Sequence, residues 1–262
     1  MALFVDGPAC TIGDLTDQDS GLLEVALTTG INVSTKLRLA VEEIRTELHL
    51  WLNRPRPASY QGAGLVWAPA QELILHVGQI VVTPPLKRWE IMHALVLVYR
   101  DAYFSQLVDR YHAKWQEYAK LAGDATESFI ASGLGLVSDP VVQAPPPILS
   151  TIPGPQSGGT FYASVTWVNA TNQEGAPSYA SSLTVPDGNL MRVGVTGSPE
   201  NAVGFNVYAG ASLAAMLRQS DVLLPVGAAY TYVPGEITQG PLPGNGQTPD
   251  FTRPLARTIL RG

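Results

Sequence analysis

Cysteine is nearly missing from this chain of 262 residues: Cys10 stands alone. That excludes an intrachain disulfide and a CxxC metal site, and it suits synthesis in a reducing cytoplasm. Long apolar runs are missing as well. No stretch approaches the ~18 residues that mark a membrane-spanning helix, so no membrane partner is expected. Residues 1–6 have neither the basic start nor the apolar core of a signal peptide. Cations are scarce, with 16 Lys and Arg against 22 Asp and Glu, for a net charge of −6. Residues 1–137 hold 11 basic and 15 acidic side chains, and residues 138–262 hold 5 and 7. Neither half has the cation excess that drives phosphate binding through counterion release. DNA that slides past is compatible with this balance, whereas tight DNA binding is disfavoured.

Catalytic patterns are missing too. His49, His76, His93 and His112 show no HxxxH or HExxH spacing, so a zinc site is not expected. No GxxxxGK[ST] loop occurs, no GxGxxG follows an expected strand, and no GxSxG elbow is present. The acids of the second half, Asp139, Glu174, Asp187, Glu200, Asp221, Glu236 and Asp250, are scattered over expected turns and assemble no acid/base pair. The chain therefore reads as a non-enzyme with no cofactor.

What is present falls into two kinds of sequence. Asp14, Thr16 and Asp17 precede Leu22, Leu23, Val25, Ala26 and Leu27, with Gly30 as a stop, which predicts helix within residues 14–30. Val33, Leu37, Val41, Ile44, Leu48 and Trp51 step by three and four, predicting a helix over about residues 34–52. Arg54-Pro55-Arg56-Pro57 ends it. Residues 72–76 and 79–83, either side of Val77-Gly78, suggest a short hairpin. Thr83-Pro84-Pro85 reads as an N-cap with proline in the first turn. From there Trp89, Met92, Val96, Tyr99, Tyr103, Leu107, Tyr111, Trp115, Tyr118 and Ala122 recur at helical spacing, predicting one very long helix over residues 87–121. Such a helix would be roughly 54 Å long at 1.5 Å per residue, more than a small domain needs. Either part of its aromatic face (Trp89, Tyr99, Tyr103, Tyr111, Trp115) is an oligomer interface, or all of it is internal core.

The composition then changes abruptly. Residues 138–158 contain six prolines and predict an extended connector. Beyond it the chain is lysine-free and punctuated by Gly and Pro. Strands are expected at residues 161–168, 181–185, 190–195, 204–208, 219–224 and 229–233. Short strands with turn signals every ten or so residues fit an immunoglobulin-like sandwich. At the end, Arg253, Arg257 and Arg261 alternate with Leu255, Ile259 and Leu260, as a frayed terminus or as a docking arm. The expected organisation is a two-domain α + β chain: a helical adaptor domain at 1–137, a Pro-rich linker at 138–158, the sandwich at 159–248 and an arm at 249–262.

Two stretches resemble known families. Val81-Val82-Thr83-Pro84-Pro85-Leu86-Lys87-Arg88-Trp89, continuing through Leu97-Val98-Tyr99-Arg100-Asp101-Ala102-Tyr103, Asp109-Arg110-Tyr111 and Lys114-Trp115, resembles helical head-to-tail connector (neck adaptor) proteins of tailed bacteriophages. Val165-Thr166-Trp167-Val168-Asn169-Ala170, Glu174-Gly175-Ala176-Pro177-Ser178 and Gly204-Phe205-Asn206-Val207-Tyr208-Ala209-Gly210 resemble fibronectin type III-like modules appended to phage structural proteins. The first resemblance implies a virion protein of the neck, made in the host bacterial cytoplasm. It implies a homo-oligomeric ring, usually of twelve subunits, below the portal protein. Double-stranded DNA would pass through its lumen without specific binding, and a tail or other neck protein would follow. Arg253, Arg257 and Arg261, with Leu255 and Ile259, would then be the portal-docking contacts. The rival expectation is a tail or baseplate protein whose β module binds host carbohydrate on an aromatic platform of Trp167, Tyr179 or Tyr230.

Overall fold

The computed structural model describes residues 2–52 and 75–255, which form helices and antiparallel sheets in two compact units. One unit comprises residues 7–136 and 251–262, the other residues 1–6 and 137–250. They are not joined in tandem. The β unit is inserted between two short strands of the helical unit, β1 (Leu134–Leu136) and β10 (Phe251–Arg253), which pair antiparallel from Leu134↔Arg253 to Leu136↔Phe251. The expected boundary near 137 is one of three covalent passages between the units.

In the helical unit, α1 (Ile12–Gln18) starts in a capping box made by Thr11 and Asp14. The helix α2 (Leu22–Thr29) ends at Gly30, whose φ of 70° suits a residue without Cβ. The third helix, α3 (Val33–Leu52), buries Val33, Leu37, Val41, Ile44 and Leu48, the face its spacing predicted. Thr83 is the N-cap of α4 (Pro84–Gln106) but makes no side-chain cap bond; prolines in the first two positions supply no N–H there. Within the expected hairpin, Val77–Gln79 is instead a 3₁₀ turn and Ile80 bridges to Leu136, while residues 72–74 lie outside the described residues.

The single long helix is corrected. It breaks at Leu107, which takes a left-handed conformation (φ 53°), and the chain reverses into α5 (Asp109–Ser132). Ring contacts give the register of the antiparallel pair: Tyr103 with Trp115, Tyr99 with Tyr118 at 5.4 Å, and Trp89 with Phe129 at 5.5 Å. Trp51 of α3 stacks on both Trp89 and Phe129, so three helices share one aromatic cluster. Gly123 lies inside α5.

In the β unit, β2 (Ile148–Pro153), β5 (Asn189–Gly194) and β9 (Ala229–Tyr232) form one sheet in the order β2-β5-β9. The other sheet has the order β4-β3-β6-β7, from β4 (Ser181–Val185), β3 (Gly159–Asn169), β6 (Ala202–Gly210) and β7 (Leu217–Arg218). The strand expected at 219–224 is replaced by β7 and β8 (Leu224–Pro225), both paired with β6. Val165 and Trp167 of β3, Met191 and Val193 of β5, and Phe205 and Val207 of β6 meet in a shared core. The Pro-rich stretch is not a free connector, because Val141 and Ala144 are buried in that core and β2 is laddered to β5. Its prolines sit where no ladder donor is needed, as Pro153 does at the end of an edge strand. Residues 1–6 also belong to this unit, with Asp6 Oδ1 accepting from the Gln143 N–H at 2.8 Å.

The inserted unit carries the acidity. It holds eight acidic residues against Arg192 and Arg218, a net charge of −6, which leaves the helical unit neutral. The milder split expected at residue 137 reflected the wrong boundary.

Candidate functional site

Asp19, in the connection between α1 and α2, is the polar centre of the helical unit. It is buried, and its Oδ2 accepts from the Tyr99 hydroxyl at 2.7 Å, the Tyr118 hydroxyl at 2.8 Å and Lys114 Nζ at 3.1 Å. Its Oδ1 accepts from the Gly21 N–H at 3.0 Å. Burial alone would raise the Asp19 pKa, but these donors outweigh it and hold the carboxyl below its ordinary value. Both phenols are pushed up, by burial first and then by donating to Asp19. Neither tyrosine is therefore poised to lose a proton near neutral pH.

Above this hub lies a half-open cavity of about 260 Å³. Glu24, Val25 and Thr28 of α2 form one wall, Arg110, Tyr111 and Lys114 of α5 the other, and Asp19 and Tyr99 the floor. The Arg110 guanidinium lies 4.7 Å from the Tyr111 ring centroid and donates to the Tyr111 hydroxyl at 2.6 Å. Among the described residues Arg110 has no carboxylate partner. No sequence pattern foretold this pocket, because its walls come from segments about 80 residues apart.

A second polar centre joins α4 to the segment before α1. Glu90 is fully buried, and its Oε1 accepts from the Cys10 N–H at 3.1 Å and the Cys10 thiol at 3.4 Å. Its Oε2 has no partner. Burial pushes both the Glu90 carboxyl and the Cys10 thiol upward, so Cys10 is no nucleophile at neutral pH.

The β unit has a hub of its own. Glu174, read above as one of several scattered turn acids, accepts from Asn206, from the Tyr208 hydroxyl at 2.9 Å and from Thr166 at 3.3 Å. Ser178 continues the seam, its hydroxyl accepting from the Val165 N–H at 3.0 Å. The segment from Glu174 to Ser178 thereby runs along the edge of β3, where the Gly175 and Ser178 N–H groups donate to the Trp167 and Val165 carbonyls, and the Glu174 side chain reaches across to β6. Alternation of Thr166 with Trp167, and of Asn206 with Phe205 and Val207, was the available signal.

Of the expected oligomer-interface residues, Trp89, Tyr99 and Tyr111 are almost wholly buried within their own unit, and Tyr99 and Tyr111 reach the surface only through the pocket above Asp19. Tyr103 and Trp115 are half-buried and join His112 and Phe104, which is 62% exposed, in a ring cluster at the α4–α5 tip. Leu107 and Val108 are exposed at the same tip. Among the docking residues, Arg253 lies in β10 and donates to the Leu52 carbonyl at 3.4 Å, inside the helical unit rather than held out for the portal. Leu255 is half-buried, and Arg257, Ile259 and Arg261 lie outside the described residues. Trp167, a candidate glycan platform, is fully buried in the core. The Tyr230 hydroxyl is engaged with the Gln219 carbonyl at 2.6 Å, and Tyr179 is 73% exposed.

No group of three His, Cys, Asp or Glu that could hold a metal occurs among the described residues, and no described helix is long and apolar enough to cross a membrane. No protein-family model matches the chain, and neither a curated protein nor a solved structure matches it.

Proposed function

We propose that this chain is a non-enzymatic structural protein of a tailed-phage virion, a neck adaptor. In this role it assembles into a ring of twelve below the portal, continues the DNA channel and meets a tail or other neck protein. The observation that carries this reading is the α4–α5 tip. A hairpin whose internal face is already closed by its own rings still exposes Phe104, Leu107 and Val108 beside Tyr103 and Trp115. Exposed apolar and aromatic clusters of this kind fit contact surfaces between proteins. The charges are compatible with passing DNA, since a neutral helical unit and a β unit at −6 offer phosphates no cation excess.

The β unit reads as an immunoglobulin-like module. Pairing of β2 with β5, and the order β4-β3-β6-β7, match strands B with E and C′-C-F-G of such sandwiches, with β9 added beside β5. Its place is outside the channel, against a neighbouring neck or tail protein. The rival carbohydrate-binding role now rests mainly on Tyr179, because Trp167 is core and Tyr230 is half-buried with its ring packed against that core.

Native mass spectrometry of the full chain, alone and mixed with its cognate portal protein, tests the reading. A closed ring, or one formed on the portal, is expected. A monomer that ignores the portal overturns it, and glycan-array binding lost on Tyr179→Ala would promote the rival.

A further inference from the structure

The pocket above Asp19 holds groups that the helical fold does not use up. Asp19 is committed four times, and Lys114 spends one of its three N–H donors on it. Arg110 is different: its guanidinium is held in place by the Tyr111 ring and hydroxyl, yet most of its donors remain open at the mouth. Arg110 and Lys114 are four apart on α5, so they project along one face. Opposite them Glu24 is exposed, and no hydrogen bond holds its carboxylate among the described residues. A fixed fork of donors facing an untethered carboxylate is an acceptor-seeking site with a weak internal competitor.

We propose that this pocket is an intersubunit socket, in which Arg110 and Lys114 of one copy receive a carboxylate from the acidic β unit of a second copy. The charge balance selects that occupant. A β unit with eight acids and two arginines has carboxylates in excess, whereas the neutral helical unit has no acidic surplus to offer a neighbour. The cavity, about 260 Å³, has room for a side chain and little more. Val25 and the faces of Tyr99 and Tyr111 would shield the ion pair from water, which strengthens it. This inference rests on the ring reading above.

Self-association of the full chain, followed by sedimentation velocity from low to high salt, tests it. Arg110→Glu should weaken assembly at least about tenfold, and salt should weaken the wild-type chain in the same direction. Glu24→Gln, which removes the internal competitor, should tighten assembly by about twofold or more. Both side chains are exposed, and circular dichroism checks that the variants remain folded. A benzophenone side chain at Thr28, on the pocket wall, should cross-link an isotope-labelled copy to an unlabelled one, within residues 137–250 of the partner. Cross-links confined to one copy, or to the neighbour's helical unit, overturn the proposal. So does an oligomer indifferent to salt and to Arg110→Glu, which would leave the ring reading standing. A chain that stays monomeric with and without the portal overturns both.

Discussion

Burial opposes charge at both Asp19 and Glu90, but only Asp19 gathers enough donors to reverse the effect. The signs of their pH dependence therefore differ. The folded-state pKa of Asp19 lies below its unfolded value of about 3.9, so its stabilisation is present above that pH and lost as pH falls through the folded value. For Glu90 the folded value is raised above an unfolded one of about 4.3, so stability declines as pH rises from there through the folded value. Urea midpoints measured across pH should show Asp19→Asn removing the acid-side loss and Glu90→Gln flattening the decline above about pH 4.3. In the β unit, Glu174→Ala should cost about 1–3 kcal/mol in urea unfolding, because Asn206, Tyr208 and Thr166 lose their common acceptor. None of these hubs was legible from spacing. Asp19 is 80 and 99 residues from its two tyrosines, and Glu174 is 32 residues from Asn206.

Elements with a continuous apolar face were legible: α3 buries the stripe that its sequence displays, and β3 to β6 fall within a few residues of their expected bounds. The α4–α5 turn was not. Tyr103, Leu107 and Tyr111 keep a spacing of four straight through the break, and neither Leu107 nor Val108 is a turn-forming residue. A left-handed leucine is disfavoured by roughly 1–2 kcal/mol, and at 69% exposure this one recovers little by burial. Leu107→Gly should accordingly raise the thermal midpoint of the helical unit by a few degrees, after the entropy cost of glycine is counted. The same change should weaken assembly if the exposed leucine is part of a subunit contact. A chain that becomes both more stable and less associative would separate folding from assembly at one residue. Gly133 gives the reverse case: an added Cβ would meet the Arg253 carbonyl oxygen at 2.9 Å, at a φ of 78° that already favours glycine, so Gly133→Ala should loosen β10.

At the scale of the whole molecule, the change of composition near residue 138 showed that two units exist but not that one interrupts the other. The strands that reveal the insertion have three residues each, too short for a pattern, and more than a hundred residues separate them. The ends of the insert are brought together by the Ser138 N–H on Asp250 Oδ2 at 2.7 Å and the Val141 N–H on Gln247 Oε1 at 2.6 Å. Closely spaced ends are what let one domain be accommodated inside another. A chain with residues 137–250 replaced by a short glycine-containing turn, and residues 1–6 removed, should keep a cooperative melt by circular dichroism. A chain stopped at residue 136 lacks β10, bares one edge of β1, and should melt several degrees lower.

The insertion also sets an order of events on the ribosome. The segment at residues 1–6 emerges before the helical unit and waits for the rest of its own unit, which starts at residue 137. The helices α1 to α5 and strand β1 follow, yet the partner of β1 is not made until the whole insert has been translated. At about 5–20 residues per second that delay is roughly 6 to 23 s, long beside the folding of a small helical domain. Throughout it the newborn helical unit carries an unclosed sheet edge, and the stretch of synthesis just before residue 251 is when a nascent neighbour or a chaperone has its best access to it.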